Sequence, residues 1–237
     1  MHGPDRPRAG RGRGCDHGAM VEPGGSIPTH TRLLGRTLNG IVAHAPWLWP
    51  LVRSPMQGFF DRGADGWDAR TGAGSPDHLA ALATATAKIS PDPERILDLG
   101  TGTGEAALFC AREFPRASVR GVDLSERMVK LSQDKIGLDP DGRVAFRVAD
   151  ASRLPYQDDS FDLITQVNVP PFFAEIARVL RPGGHVVVVA SIGSATPFYT
   201  PESVLERGFR RRGIERIDSG RAADGTYFMA RSGLLGP

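Results

Sequence analysis

The stretch Ile96-Leu97-Asp98-Leu99-Gly100-Thr101-Gly102-Thr103-Gly104 decides the fold. An apolar run ends in three alternate glycines, and a helical pattern starts directly afterwards at Glu105. Alternate glycines let a chain turn tightly at the carboxyl edge of a sheet and bring its backbone close to a ligand. The segment therefore reads as strand, binding turn and helix, and it implies a ligand of nucleotide type.

Working outward, strand patterns fall at 95–99, 118–123, 143–149, 161–167 and 185–191, with helical patterns at 105–114, 125–136 and 172–180 between them. Such alternation implies a mainly parallel sheet with right-handed crossovers, covered on both faces. A helix at 201–212 follows, then two strands at 214–221 and 226–231 joined by Ala222-Ala223-Asp224-Gly225. An Asp-Gly turn favours a hairpin, so the last strand should run antiparallel to its neighbour. The predicted fold is a doubly wound α/β structure: a mainly parallel seven-stranded sheet with an antiparallel C-terminal hairpin strand and an N-terminal helical cap.

Upstream of the sheet, Ser75-Pro76 can start a helix over 77–89. Residues 31–74 mix glycine with Trp47, Trp49, Phe59, Phe60 and Trp67, which reads as short helices whose aromatic side chains pack on the core. Residues 1–30 are dominated by glycine and proline, develop no apolar period and read as a disordered extension. The Arg-Gly-Arg-Gly run at 11–14 within it reads as a solvated tail rather than an RNA-binding segment. Three regions result: an extension (1–30), a cap (31–74) and a ligand-binding domain (75–237).

Bulk composition narrows the class. With 237 residues, 40% hydrophobic and 24% charged, the chain can build one α/β core with appendages. A formal charge of +2 gives no prior for nucleic acid or an acidic membrane. Cys15 and Cys110 are far apart and do not form a disulfide framework, which favours a reduced compartment. The longest apolar stretch, 41–52, is interrupted by His44, Pro46 and Pro50 and is too short to span a bilayer. These features predict a soluble cytoplasmic protein, with no membrane, nucleic-acid or metal partner.

Two ligand types compete for the glycine turn. In a dinucleotide fingerprint, Gly100 and Gly102 would be followed by position 105, where Glu105 would face a pyrophosphate. A shifted frame using Gly102, Gly104 and Ala107 satisfies the looser pattern, so a nicotinamide-dependent oxidoreductase stays open. Asp98 argues the other way: a carboxylate before the turn repels a pyrophosphate and attracts an ammonium. S-adenosylmethionine carries an ammonium and a sulfonium and no phosphate.

At these residues the chain resembles the class I, Rossmann-like S-adenosylmethionine-dependent methyltransferases of small-molecule type, whose motif of an acid and alternate glycines is matched by Asp98, Gly100, Gly102 and Gly104. The resemblance runs from Phe60 to the end of the chain. It implies that Asp123, in Gly121-Val122-Asp123-Leu124-Ser125, binds the ribose hydroxyls while Leu124 packs on adenine. Asp150 and Ala151 would read the adenine edge, and Thr101 and Met128 would border the cofactor. Trp67, in the segment Phe60-Asp61-Arg62-Gly63-Ala64-Asp65-Gly66-Trp67-Asp68, would lie by the methionine part. Leu154-Pro155-Tyr156 and Asp159-Ser160-Phe161-Asp162 match the approach to the fourth strand. Arg178 to Gly184 matches the turn before the fifth, where Pro182 would stop a helix and Gly183-Gly184 would reverse the chain.

The acceptor side is less specified. Gln166-Val167-Asn168-Val169-Pro170-Pro171-Phe172 should face the transferring methyl group, with Asn168 lining the pocket as the candidate catalytic residue. This loop is similar to the Asn-Pro-Pro-aromatic signature of methyltransferases acting on planar nitrogen, but Val169 separates Asn168 from the prolines. The reading is methyl transfer from S-adenosylmethionine to a small-molecule acceptor. The alternatives are an NAD(P)-dependent oxidoreductase and a non-catalytic S-adenosylmethionine-binding protein.

Overall fold

The computed structural model describes residues 29–137, 139 and 141–234. Two helices open the described chain, α1 (Thr29–His44) and α2 (Trp49–Gly63), joined through a 3-10 turn at Pro46–Leu48; α3 (Trp67–Thr71) and α4 (Pro76–Thr86) follow. The ligand-binding region then alternates: β1 (Arg95–Leu99), α5 (Glu105–Glu113), β2 (Ser118–Asp123), α6 (Glu126–Asp134), β3 (Val144–Val148), β4 (Phe161–Val167), α7 (Phe173–Val179) and β5 (Leu180–Ala190). It closes with α8 (Glu202–Arg210), β6 (Ile214–Ala222) and β7 (Gly225–Ser232).

All seven strands form one sheet in the order β3-β2-β1-β4-β5-β7-β6. The first five are mutually parallel, and β7 runs antiparallel to both β5 and β6. Chain direction across the sheet reverses between β1 and β4, so the loops leaving these strands diverge and open a crevice at their carboxyl ends. Side chains on one face, including Ile96, Val119, Leu163 and Val187, pack with Leu82 of α4 and Cys110 of α5. On the other face Leu97, Ile164, Val186 and Phe228 pack with α7, α8 and the cap residues Val42 and Trp49. Burial of the Cys110 thiol raises its pKa well above the usual range, so it behaves as a small core side chain. Cys15 and residues 1–28 lie outside the described residues.

Three expectations need correction. The helix α1 includes residues 29 and 30, which the sequence reading placed in the extension, and α1 and α2 are helices of 16 and 15 residues rather than short ones. Arg181-Pro182-Gly183-Gly184 is not a turn ahead of the fifth strand but an irregularity within it. Leu180 already pairs with Phe161, and the ladder resumes at His185 opposite Leu163. Gly183, at φ +78°, takes up the shift. In the C-terminal hairpin, Ala222 pairs with Gly225, so the two loop residues are Ala223 and Asp224, and Ala223 carries the positive φ of 48°. Gly225 serves packing instead: a Cβ there would stand 3.0 Å from Ala81 Cβ and 3.1 Å from Ser191 O.

Among the described residues no helix is long and apolar enough to cross a membrane. None of their His, Cys, Asp and Glu side chains gather in a group of three or more suited to a metal ion.

Candidate cofactor and acceptor site

The glycine turn is held from three sides. Its first anchor is Asp98, only 1% exposed, whose Oδ2 accepts from Thr101 Oγ1 at 2.6 Å and whose Oδ1 accepts from Thr165 Oγ1 on β4 at 2.9 Å. Burial pushes this carboxyl up to about 6, against the two threonine hydroxyls, which favour the ionised form. A second anchor joins the turn to β2, since Thr101 N–H donates to Val122 O at 2.9 Å and Gly102 N–H donates to Asp123 Oδ2 at 2.9 Å. The third is α5, whose first turn receives the chain through Gly104 at φ +88°.

The glycines here are not interchangeable. A Cβ on Gly100 would run into Val169 of the loop after β4, at 2.4 Å from its Cγ2. A Cβ on Gly102 would meet nothing within 4 Å, and this residue also has φ +53°. Gly102 thus faces open space, which lets a ligand approach its backbone closely.

Asp123 is the hub of the turn. Besides Gly102, it accepts from Ser125 N–H through Oδ1 at 2.9 Å, and burial raises its pKa despite these donors. The next strand end is close by, because Ala149 N–H donates to Asp123 O at 2.9 Å. Asp98, Gly100, Thr101, Gly102, Gly104, Asp123, Asp150 and Ala151 are therefore brought to one sheet edge. Leu124 and Ala151 are partly buried and pack on the cap-side core. Met128 is 1% exposed in the first turn of α6, where its N–H donates to Ser125 Oγ, so it supports the site from below rather than presenting a surface.

The cap contacts this edge through residues that local patterns do not single out. Trp49, 4% exposed, donates its indole N–H to Asp150 Oδ1 at 2.9 Å and meets Phe172 edge-on with centroids 5.0 Å apart. Ser125 Oγ donates to Asp61 Oδ1. Asp68 accepts from Thr103 Oγ1 in the glycine turn and pairs with Lys135, which also holds Glu105 at 2.6 Å. The pairing of Glu105 with Lys135 weakens the argument that its charge would repel a pyrophosphate. Trp67 starts α3 and stands edge-on to Phe60 at 5.7 Å, and Phe60 in turn faces Phe198 at 6.2 Å.

Phe198 lines a cavity of about 270 Å³ at the ends of β5 and β7, together with Val169, Tyr199, Thr200, Glu202 and Arg221. Val169, which packs on Gly100, connects this cavity with the glycine turn. Asn168 has φ +59°, and both ends of its amide are bonded to Ser191: Nδ2 donates to Oγ at 2.8 Å and Oδ1 accepts from N–H at 2.9 Å. It staples the β4 and β5 loops, and Val169 rather than Asn168 borders the cavity. Gln166, fully buried, donates Nε2 to Val169 O at 3.2 Å, and its Oε1 has no partner among the described residues.

Residues 96–184, from β1 into β5, match the family described as "Methyltransferase domain". Over these residues the chain is similar in sequence to methyltransferase domains, and its fold is that of the class I methyltransferases. The chain is 38% identical over 120 residues to the ubiquinone/menaquinone biosynthesis C-methyltransferase UbiE of Geobacter sulfurreducens, covering 47% of this chain and 44% of that protein. It is 35% identical over 139 residues to methyltransferase GfsG of Streptomyces halstedii, covering 53% and 49%. The chain thus spans about half the length of the curated relatives it matches. An S-adenosylmethionine-dependent methyltransferase from Aquifex aeolicus superposes with a TM-score of 0.55 at 19% identity, over 66% of this chain and 92% of that one. The [4+2]-cyclase SpnF does so with a TM-score of 0.53 at 23% identity, over 68% and 82%. At these identities the likeness is one of fold. The methyltransferase match and relatives do not favour the nicotinamide-dependent alternative.

Proposed function

We propose that the protein binds S-adenosylmethionine at the β1–β2 edge and transfers its methyl group to a small molecule held in the cavity beside Val169. The single observation that carries this reading is the turn from Asp98 to Gly104, with open space over Gly102 and the Asp123 carboxylate fixed beside it. Each Asp123 oxygen takes one backbone N–H and retains a lone pair, so the carboxylate can also accept the two hydroxyls of a ribose. Asp98 supplies a buried negative charge next to the turn, which suits an ammonium and opposes a phosphate. The residues present fit the cofactor.

When bound, S-adenosylmethionine supplies an electrophilic methyl group on a sulfonium. Asp98, Gly102 and Asp123 would hold it and present that methyl group to the acceptor's own nucleophile. The chain's contribution is alignment and exclusion of water. Val169 forms the wall between the glycine turn and the acceptor cavity. Trp67, Phe60 and Phe198 form an aromatic series from the cap to the cavity rim and screen the site from solvent. Relatives are named for quinone C-methylation, arsenite methylation and O-methylation of a malonyl-acyl carrier protein. The shared domain therefore leaves the acceptor atom open.

Calorimetry with S-adenosylmethionine, S-adenosylhomocysteine, NAD and NADP tests the cofactor, and transfer of a radiolabelled methyl group to a panel of phenols, carboxylates and amines tests turnover. Binding of a nicotinamide dinucleotide without either adenosyl ligand would overturn the reading. Tight adenosyl binding with no transfer to any acceptor class would move the protein to the non-catalytic alternative.

A further inference from the structure

A second cavity, of about 360 Å³, lies where the end of α8 meets the end of α1, and its lining includes His44, Phe173, Arg207, Arg211 and Arg212. It belongs to neither the glycine turn nor the Val169 cavity. The Arg212 guanidinium lies 5.7 Å from the centre of the Phe173 ring and donates to Gly208 O at 2.9 Å, which fixes it at the wall. Arg207, Arg210 and Arg211 project from the last turn of α8 and just beyond it. Among the described residues no carboxylate lies within 4.0 Å of any of these four guanidinium groups, whereas Arg53, Arg127, Arg178, Arg181 and Arg216 all have such partners. One or two basic residues at a helix C-terminus serve its dipole. Three around a concavity, Arg207, Arg211 and Arg212, with Arg210 on the same helix end, make a positive site.

Large apolar side chains stand exposed on α1, whose end borders this cavity, on the 3-10 turn that follows it, and on α2. Trp47 follows His44 by three residues, through a turn closed by Leu48 N–H on Ala45 O, and is 75% exposed. Leu51 on α2 is 73% exposed, and Leu33 and Leu34 on α1 are 66% and 58% exposed. The sequence that forms α1, the 3-10 turn and nearly all of α2 has no Asp or Glu between Glu22 and Asp61. Arginines around a cavity, joined to an acid-free segment with exposed leucines and a tryptophan, have the chemistry of an interfacial anchor: cations for lipid phosphates and an amphipathic ring for the headgroup level. A nucleic acid would use the arginines but would leave Leu33, Leu34 and Leu51 in water.

We propose that this face docks on an anionic phospholipid surface, with Arg207 and Arg211 taking lipid phosphates and Trp47 and Leu51 entering the headgroup layer. Docking of this kind needs no spanning segment, and it does not depend on the cofactor reading.

The test is sedimentation of the full chain with vesicles of phosphatidylglycerol and phosphatidylcholine, against vesicles of phosphatidylcholine alone. Binding should require the anionic lipid and weaken with salt. Arg207→Gln/Arg211→Gln should lower partitioning roughly thirtyfold, since each of the two basic side chains near such a surface contributes about fivefold. Trp47→Ser should lower it as well. Arg112→Gln/Arg116→Gln removes the same charge from exposed positions on and just after α5, across the sheet, and should leave partitioning nearly unchanged. Melting curves establish that each variant is folded. No sedimentation with anionic vesicles, or equal losses from the two arginine pairs, would overturn the proposal. So would binding of single-stranded RNA in place of vesicles, or a dimer dissociated by Trp47→Ser with no vesicle binding.

Discussion

The indole N–H of Trp49 donates to Asp150 Oδ1 at 2.9 Å, tying the second cap helix to the turn after β3. The same oxygen accepts from Ser152 N–H at 2.8 Å, and Arg53 reaches Oδ2 at 3.3 Å. The cap is thereby fastened to the residue expected to read the adenine.

From that contact follows an order among the tryptophans. Trp49→Ala should destabilise the protein by about 3–5 kcal/mol, the usual cost of emptying a large aromatic site. Trp49→Phe, which keeps most of the volume but leaves Asp150 short of a donor, should cost about 1–3 kcal/mol. Trp67→Ala, at a half-buried position, should cost less than Trp49→Ala. Urea unfolding of the three variants checks the order, and a larger loss for Trp67→Ala would refute it.

Asp123 bridges Gly102 and Ser125, so Asp123→Ala should both loosen the turn and remove the ribose acceptor. Affinity for S-adenosylhomocysteine should fall by about 1.5–3 kcal/mol, the range for hydrogen bonds to a charged group. Calorimetry on the folded variant decides; an unchanged dissociation constant would take Asp123 out of the ribose site.

Asp98 gives the fold a pH dependence with a definite sign. Its carboxyl is raised to about 6 from an ordinary 3.8, with burial as the main cause. Between these values the folded state holds a proton that the unfolded state releases, so this group's contribution is present at low pH and is lost as pH rises through about 6. Asp98→Asn removes the titration. Relative to the wild type, the variant should gain roughly 2–3 kcal/mol of stability between pH 4 and pH 8, while losing affinity for the ammonium-bearing cofactor. Parallel stability curves for the two proteins would show that Asp98 titrates normally.

Asp68, Thr103, Lys135 and Glu105 form the clasp between α3 and the glycine turn. Hydrogen exchange over residues 57–71 should slow when S-adenosylmethionine is added, because the clasp sits on the turn that the cofactor orders. In Asp68→Asn, exchange without ligand should quicken, and cofactor affinity should drop. Equal protection with and without cofactor in the wild type would instead describe a permanently docked cap.

The strand-and-helix order was legible because it rests on local quantities. Apolar periodicity gave the five parallel strands within one or two residues, apart from the start of β5, and alternate glycines located the binding turn. Ser75 and Ser125 also behave as sequence chemistry suggests, accepting from His78 N–H and Met128 N–H at the starts of α4 and α6. The early start of β5 is not legible in the sequence, for a related reason. Pro182 and Gly183-Gly184 carry turn chemistry whether they stand before a strand or interrupt one, and only pairing with β4 distinguishes the two.

The sequence by itself determined the α/β sheet, the glycine turn and the acids that flank it, since each is specified by residues within one strand–turn–helix unit. Only the tertiary structure decided how the cap closes on that edge. The partners in Trp49–Asp150, Asp68–Lys135 and Phe60–Phe198 are separated by most of a domain in sequence, and no spacing rule links them. It also decided that Asn168 is consumed by Ser191 while Val169 borders the cavity, because a side chain's role depends on which donors and acceptors the fold brings within about 3 Å of it.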